Sequence, residues 1–147
     1  MRILFVCHGN ICRSPMAEFI MKDLVAKRGR SDIYIESCAT STEELGCDVY
    51  PPAKRCLSAH GIPFERRSAR QMTSDDYGRF DMIIAMDSNN LYNMRRFVGK
   101  DPDGKVSLMM EHCGRKGDVA DPWYTGDFER TFEDITEACE GLLDSLE

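Results

Sequence analysis

An open, mostly parallel four-stranded sheet, twisted and with helices on both faces, is the fold the sequence predicts for a single domain spanning residues 1–147. Three observations point there. Short apolar runs alternate with segments of helical spacing along the whole chain, the pattern of a parallel sheet with crossover helices. The run RILFVC at 2–7 is almost continuously apolar, as a strand buried on both faces must be. And 147 residues, 42% of them hydrophobic, suit one core, with no repeat, low-complexity tract or linker to divide it.

Taken in order, the first strand gives way to a Gly-containing loop and then to SPMAEFIMKDLVAKRG, where Met16, Phe19, Ile20 and Leu24 share a helical face. Ser14 is expected as its N-cap, Pro15 fits the first turn and Gly29 the stop. DIYIES at 32–37 reads as the second strand, and CATSTEELGCDVYPP as a long polar loop opening a helix at about 52–60 that His60-Gly61 ends. RFDMIIAM at 79–86 is the next buried strand, followed by DSNNLYNMRRFVG, a capped helix with a glycine stop. DPDG at 101–104 is a turn and KVSLMM at 105–110 a short strand. A last helix at about 127–146 carries Phe128, Phe132, Ile135, Ala138, Cys139, Leu142 and Leu143 on one side.

Composition removes several classes of function. A formal charge of −6 argues against a general nucleic-acid partner, and the basic residues Arg66, Arg67 and Arg70 read as a short solvated run. No window approaches the roughly 18 uncharged apolar residues of a membrane span, so no membrane partner is expected and a cytoplasmic location is the default. The seven cysteines are odd in number and irregularly spaced, which argues for reduced thiols rather than a disulfide framework. With no CxxC pair and with His8, His60 and His112 isolated, neither a metal nor any other cofactor is expected.

The stretch CHGNICRS carries the chemistry. It runs from a strand into a helix N-terminus, beyond the carboxyl end of a strand where open α/β sheets bind ligands. The backbone N–H groups of Cys7, His8, Gly9, Asn10, Ile11, Cys12, Arg13 and Ser14 can turn toward one centre and cradle a tetrahedral oxyanion. Arg13 adds a planar fork that grips two oxygens of a phosphoryl group, and the same positive field favours the thiolate of Cys7. A thiolate beneath phosphorus with donors around the equatorial oxygens suits in-line displacement. Ser14 can donate to the sulfur as it leaves, Gly9 is expected to supply torsions closed to other residues, and Asn10 to pin the loop. The departing oxygen needs a proton, and of two Asp-Pro pairs Asp101-Pro102 looks like turn chemistry. Asp121 lies in VADPWYTGDFE and is the expected acid, with Trp123 and Tyr124 as walls for a flat aromatic substrate.

At this point the sequence resembles the low-molecular-weight protein tyrosine phosphatases. FVCHGNICRSPMAE and DPWY match that family's two signatures, with SCATS, HGI, SARQ and AMDSNN between them in family order. The resemblance implies a flavodoxin-like fold of the phosphotyrosine phosphatase I type, acting as a monomer on phosphotyrosine-containing proteins and releasing inorganic phosphate. It also implies that Cys7 is the nucleophile, Arg13 the phosphate and transition-state ligand, and Asp121 the acid and then the base. Asn10, Ser14 and Ser37 match the polar network that shapes the loop, His60 a structural histidine bonded within it, and Asp87 a supporting acid. Family members with two cysteines in this loop suggest that Cys12 captures an oxidised Cys7 as a disulfide. Two positions depart from the pattern. Glu43 and Glu44 stand where several members have an aromatic cleft wall, and His8, at the rim, takes a position often apolar in relatives.

Two rival activities use a similar loop. Thiol-dependent arsenate reductases need further cysteines after the second helix, and here none lies between 57 and 112. Protein-arginine phosphatases commonly have Thr at the position of Ile11, where an apolar side chain suits an aromatic ring better. A phosphotyrosine-binding module without catalysis is disfavoured by the presence of Cys7, Arg13 and Asp121 together.

Overall fold

The computed structural model describes residues 1–147. Four parallel strands form one sheet in the order β2-β1-β3-β4, with β1 Arg2–Cys7, β2 Tyr34–Ala39, β3 Met82–Ala85 and β4 Val106–Leu108. The chain leaves β1 through α1 (Arg13–Lys27) to pair β2 on one side, and β3 later pairs β1 on the other. The strand order therefore reverses at the end of β1. That switch point opens the crevice where such sheets take ligands, and Cys7 is the last residue of the strand.

Side chains along β1 alternate between two apolar layers. Ile3, Phe5 and Cys7 join the larger core with α1, α2 (Pro51–Ala59) and α6 (Phe128–Ser145). Leu4 and Val6 face the smaller one, built with Phe80, with Ile83 of β3, and with Met94 and Val98 of α4 (Ser88–Val98). Burial on both faces is why β1 lacks the polar alternation of a half-exposed strand. The α6 residues expected to face inward from Phe132 to Leu143 are buried, and α6 packs along α1.

Some expectations shift. The second strand begins two residues later than the 32–37 run suggested, which brings Ser37, Cys38 and Ala39 into the sheet beside Phe5, Val6 and Cys7. KVSLMM is strand only over Val106–Leu108, and Met109–Cys113 turns into a 3-10 helix. Two four-residue helices, α3 (Asp76–Arg79) and α5 (Pro122–Thr125), are too short for hydrophobic periodicity to reveal. Ser14 is not the cap of α1; Cys12 holds that place without a side-chain bond, and Ser14 lies inside the first turn. By contrast α4 starts in a full capping box, with Asp87 accepting from the Asn90 N–H and Asn90 accepting in return.

Glycine 141 shows how tightly α6 meets the 3-10 helix. A Cβ added there would lie 2.0 Å from the carbonyl oxygen of His112 and 3.3 Å from Cys113 Cα. Gly→Ala inside a helix ordinarily stabilises by about 1 kcal/mol. At Gly141 the clash is with backbone, so Gly141→Ala is expected to destabilise by about 2 kcal/mol in urea unfolding. Gly78→Ala, in α3 with nothing within 4 Å of the new Cβ, should be neutral or stabilising. Equal effects at the two sites would contradict the packing described.

Candidate active site

The loop after β1 wraps the sulfur of Cys7, which is almost wholly buried at 3% exposure. The Asn10 N–H donates to Cys7 Sγ at 3.3 Å, and Ser14 Oγ lies 3.0 Å from it. Asn10 takes the left-handed conformation at φ 58°, so the sharp turn falls on Asn10 rather than on Gly9, contrary to the sequence expectation. Asn tolerates that region because its short amide can bond locally. The lack of a side chain matters differently at Gly9, since a Cβ there would press to 3.3 Å from Glu44 Cγ.

The buried amide of Asn10 is the hub beneath the loop. Its Nδ2 donates to Ser14 Oγ at 2.8 Å and to Ser37 Oγ at 2.9 Å. The Ser37 hydroxyl in turn donates to Glu18 Oε1 at 2.5 Å. Arg67 donates to both the backbone carbonyl and Oδ1 of Asn10, and the Arg70 N–H reaches the same Oδ1 at 3.3 Å. Donors on one side and hydroxyls on the other fix which way the amide points. Because Ser14 accepts from Asn10, its single proton is left for Cys7 Sγ or the Cys38 carbonyl, 3.4 Å away.

Three residues thus differ from their sequence assignment. His60 lies outside the network: at the end of α2 its Nε2 meets Glu129 Oε2 at 2.7 Å and its ring stacks on Phe132. The place expected for a histidine beside Asn10 is taken by Arg67. Nor are Arg67 and Arg70 solvated surface; Arg67 is mostly buried in this contact, and Arg70 bonds the fully buried Asp76 at 3.0 and 3.1 Å. Burial pulls the Arg67 guanidinium below its ordinary value, with Glu18 and Cys7 opposing.

Arg13, 2% exposed, closes the loop. It donates to Asp87 Oδ2 at 2.7 Å, to the Val119 carbonyl at 2.9 Å and to Asp121 Oδ2 at 3.3 Å. Burial works against its charge, but Cys7, Asp121 and Asp87 outweigh that and hold its pKa above the ordinary value. Asp121 caps α5, accepting from the Trp123 N–H at 3.0 Å. Cys12 lies in the same cleft as a free thiol, its pKa pushed up by burial and then by Cys7 and Asp121, so it stays neutral.

One cleft gathers Cys7, His8, Gly9, Ile11, Cys12, Arg13, Glu43, Glu44, Asp121, Trp123 and Tyr124, each of which the sequence had singled out. His8 is bridged to Glu43 at 2.9 Å, so the rim opposite the aromatics is acidic. Tyr50 backs the Trp123 wall of the cleft, and sequence reasoning missed it. Its ring packs 4.8 Å from that of Trp123, and its N–H holds the Ile11 carbonyl at 2.8 Å. Nothing in its neighbourhood of the sequence pairs it with either.

Residues 2–147 match the sequence profile described as low molecular weight phosphotyrosine protein phosphatase. The low molecular weight protein-tyrosine-phosphatase YfkJ of Bacillus subtilis is 38% identical over 148 aligned residues, covering 99% of this chain and 95% of that protein. PtpA of Staphylococcus epidermidis is 37% identical over 145 residues, covering 98% and 92%. The crystal structure of YfkJ aligns with a TM-score of 0.95, covering 99% of this chain and 94% of that one. A Drosophila arginine phosphatase aligns with a TM-score of 0.90 at 34% identity, covering 100% and 98%. The chain belongs to the low molecular weight phosphotyrosine protein phosphatase family. It is a protein-tyrosine-phosphatase, a phosphoric monoester hydrolase whose substrates are phosphoproteins.

The geometry separates Arg67 from His60 experimentally. Arg67→Ala removes the charged donors that orient Asn10, and a charge-assisted contact of this kind contributes roughly 1.5–3 kcal/mol. It should lower kcat/KM on an aryl phosphate about ten- to a hundredfold, whereas His60→Ala should stay within about twofold. The reverse order would restore His60 to the loop network.

Proposed function

We propose that the enzyme hydrolyses phosphotyrosine through a phosphocysteine on Cys7, with Arg13 holding the phosphoryl oxygens and Asp121 serving as acid and then base. The observation that carries this reading is the convergence of Cys7, Arg13 and Asp121 on one cleft walled by Trp123 and Tyr124. In the first step the Cys7 sulfur attacks phosphorus in line, the S–P bond forms and the P–O bond to the ring breaks. Asp121 gives its proton to the departing phenolic oxygen. Arg13 and the loop N–H groups meet the charge spread over the equatorial oxygens, where oriented donors do the most for the barrier.

In the second step Asp121, now a carboxylate, takes a proton from water as the water oxygen attacks phosphorus. The S–P bond breaks, the sulfur leaves toward the Ser14 hydroxyl, and inorganic phosphate is released. Asp87 and the Val119 carbonyl steady Arg13, while Ser37 and Asn10 hold the loop; these are positioning residues. The chemistry asks for no metal. We place the enzyme in the cytoplasm as a monomer of one domain, residues 1–147, with neither nucleic acid nor membrane as a partner. No helix in it is long and apolar enough to cross a membrane.

The likeness to an arginine phosphatase favours one second reading, phosphoarginine hydrolysis at the same Cys7. Ile11 lines the cleft with an apolar side chain and supports the aromatic substrate instead.

Two variants test the assignment together. Cys7→Ser should abolish turnover of a phosphotyrosine peptide, because a serine hydroxyl is not ionised at neutral pH. Asp121→Asn should lose about a hundredfold or more on phosphotyrosine and distinctly less on an aryl phosphate with a nitro-substituted leaving group, which departs without a proton. Equal losses on the two substrates would remove Asp121 as the acid. Faster turnover of a phosphoarginine peptide than of phosphotyrosine would select the second reading.

A further inference from the structure

Away from the catalytic cleft, α2 and the first turn of α6 bring together a thiol, an imidazole and a carboxylate. Cys56 and His60 stand four residues apart, the spacing that puts two side chains on one helical face. Glu129 faces them from α6, and one ligand atom from each of the three lies within 4.8 Å of the others. Glu129 Oε2 is 2.7 Å from His60 Nε2, and the Cys56 thiol reaches Oε1 at 3.6 Å. The Cys56 side chain is 94% buried, its 6% exposure leaving Sγ aimed at Glu129 and, at 3.7 Å, at the Phe128 carbonyl. The His60 ring is held in place by stacking on Phe132, with centroids 3.9 Å apart and planes within 12°.

We propose that Cys56, His60 and Glu129 form a binding site for a zinc-class divalent cation that clamps α2 to the start of α6. A tetrahedral ion with bonds of about 2.3 Å to sulfur and about 2.0 Å to nitrogen and oxygen needs its ligand atoms roughly 3.3–3.6 Å apart. Cys56 Sγ meets Glu129 Oε1 at 3.6 Å and His60 Nε2 meets Oε2 at 2.7 Å, so the carboxylate must turn for one oxygen to serve the ion, and the three ligand atoms, now within 4.8 Å of one another, must draw together around it. Glu129 is largely exposed and His60 partly so, which lets both side chains adjust toward the sulfur of Cys56, held in the core. Three protein ligands leave the fourth position to water. A thiolate and an imidazole select zinc or cobalt over magnesium or calcium, which prefer oxygen throughout.

Binding exchanges the Cys56 S–H bond for an S–metal bond and releases that proton to solvent. A thiol must give up its proton to bind the ion, so the affinity rises with pH. The cation would also reach the cleft indirectly. Phe128, next to Glu129, packs on Tyr50, and Tyr50 packs on Trp123.

The test uses the full chain carrying Cys7→Ser, which removes the reactive catalytic thiol from competition. Titration with cobalt(II) at pH 7.5 should give a near-ultraviolet sulfur-to-cobalt charge-transfer band and tetrahedral visible bands saturating at one equivalent. Zinc should displace the cobalt, and saturating zinc should raise the melting temperature by about 5 °C at a hundredfold excess over Kd. Adding Cys56→Ser should abolish the charge-transfer band, and Glu129→Gln should weaken binding at least about tenfold. Affinity should rise about tenfold per pH unit for the one thiol proton released. Absence of a stoichiometric band, or a band that survives Cys56→Ser, would overturn the site. Should Cys56→Ser fail to fold, unchanged cobalt affinity in Glu129→Gln would overturn it equally.

Discussion

The charge on Arg13 is the constraint around which the molecule is arranged. A guanidinium at 2% exposure cannot be left without partners, and breaking one side of such a buried pair costs roughly 3–5 kcal/mol. Its partners come from far along the chain: Asp87 at the start of α4, Val119 in the segment before α5, and Asp121 at the start of α5. To satisfy one cation the chain must therefore bring the end of β3 and the acid-bearing loop against the loop after β1. Folding and assembly of the cleft become the same event. The bracket also sets the distance between the sulfur side of the cleft and the proposed proton donor, because Arg13 touches Asp121 directly.

The lower half of the site obeys a second rule, that a buried amide must be satisfied at every polar atom. Asn10 meets it with Ser14 and Ser37 on the nitrogen side and with Arg67 and Arg70 on the oxygen side. The left-handed turn at Asn10 is the backbone counterpart of this bonding. It aims the Asn10 N–H at Cys7 Sγ and sets the Ser14 hydroxyl 3.0 Å from the same sulfur. Displacement at phosphorus gains most from such donors held in place before the charge develops.

Much of this was legible in the sequence because it is local. The apolar run of β1, the stop at Gly29, the capping box of α4 and the inward stripe of α6 are each written within one turn or a few residues. The loop residues were legible for the same reason, since a strand, a tight loop and a helix start leave few places for Cys7 and Arg13 to point. What escaped was tertiary. Arg67 and Arg70 look like any surface run until Asn10 and Asp76 arrive beneath them, and His60 carries a family expectation that its own neighbours, Glu129 and Phe132, contradict. Asn10 keeps its expected pinning role and also takes the positive φ expected of Gly9, because composition does not say which residue of a turn takes it. The pair Cys56 and His60 had helical spacing, yet its third partner lies on another helix and no linear pattern announces it.

The central claim is that Arg13 grips the transition state in two places, and vanadate measures this most directly because it adopts the five-coordinate geometry at phosphorus. Vanadate and phosphate inhibition constants should be compared for wild type and Arg13→Lys, which keeps the charge and loses the fork. Vanadate affinity is predicted to fall about a hundredfold, some 3 kcal/mol, with phosphate affinity falling far less. A loss below about threefold for vanadate, or equal losses for both anions, would contradict the account.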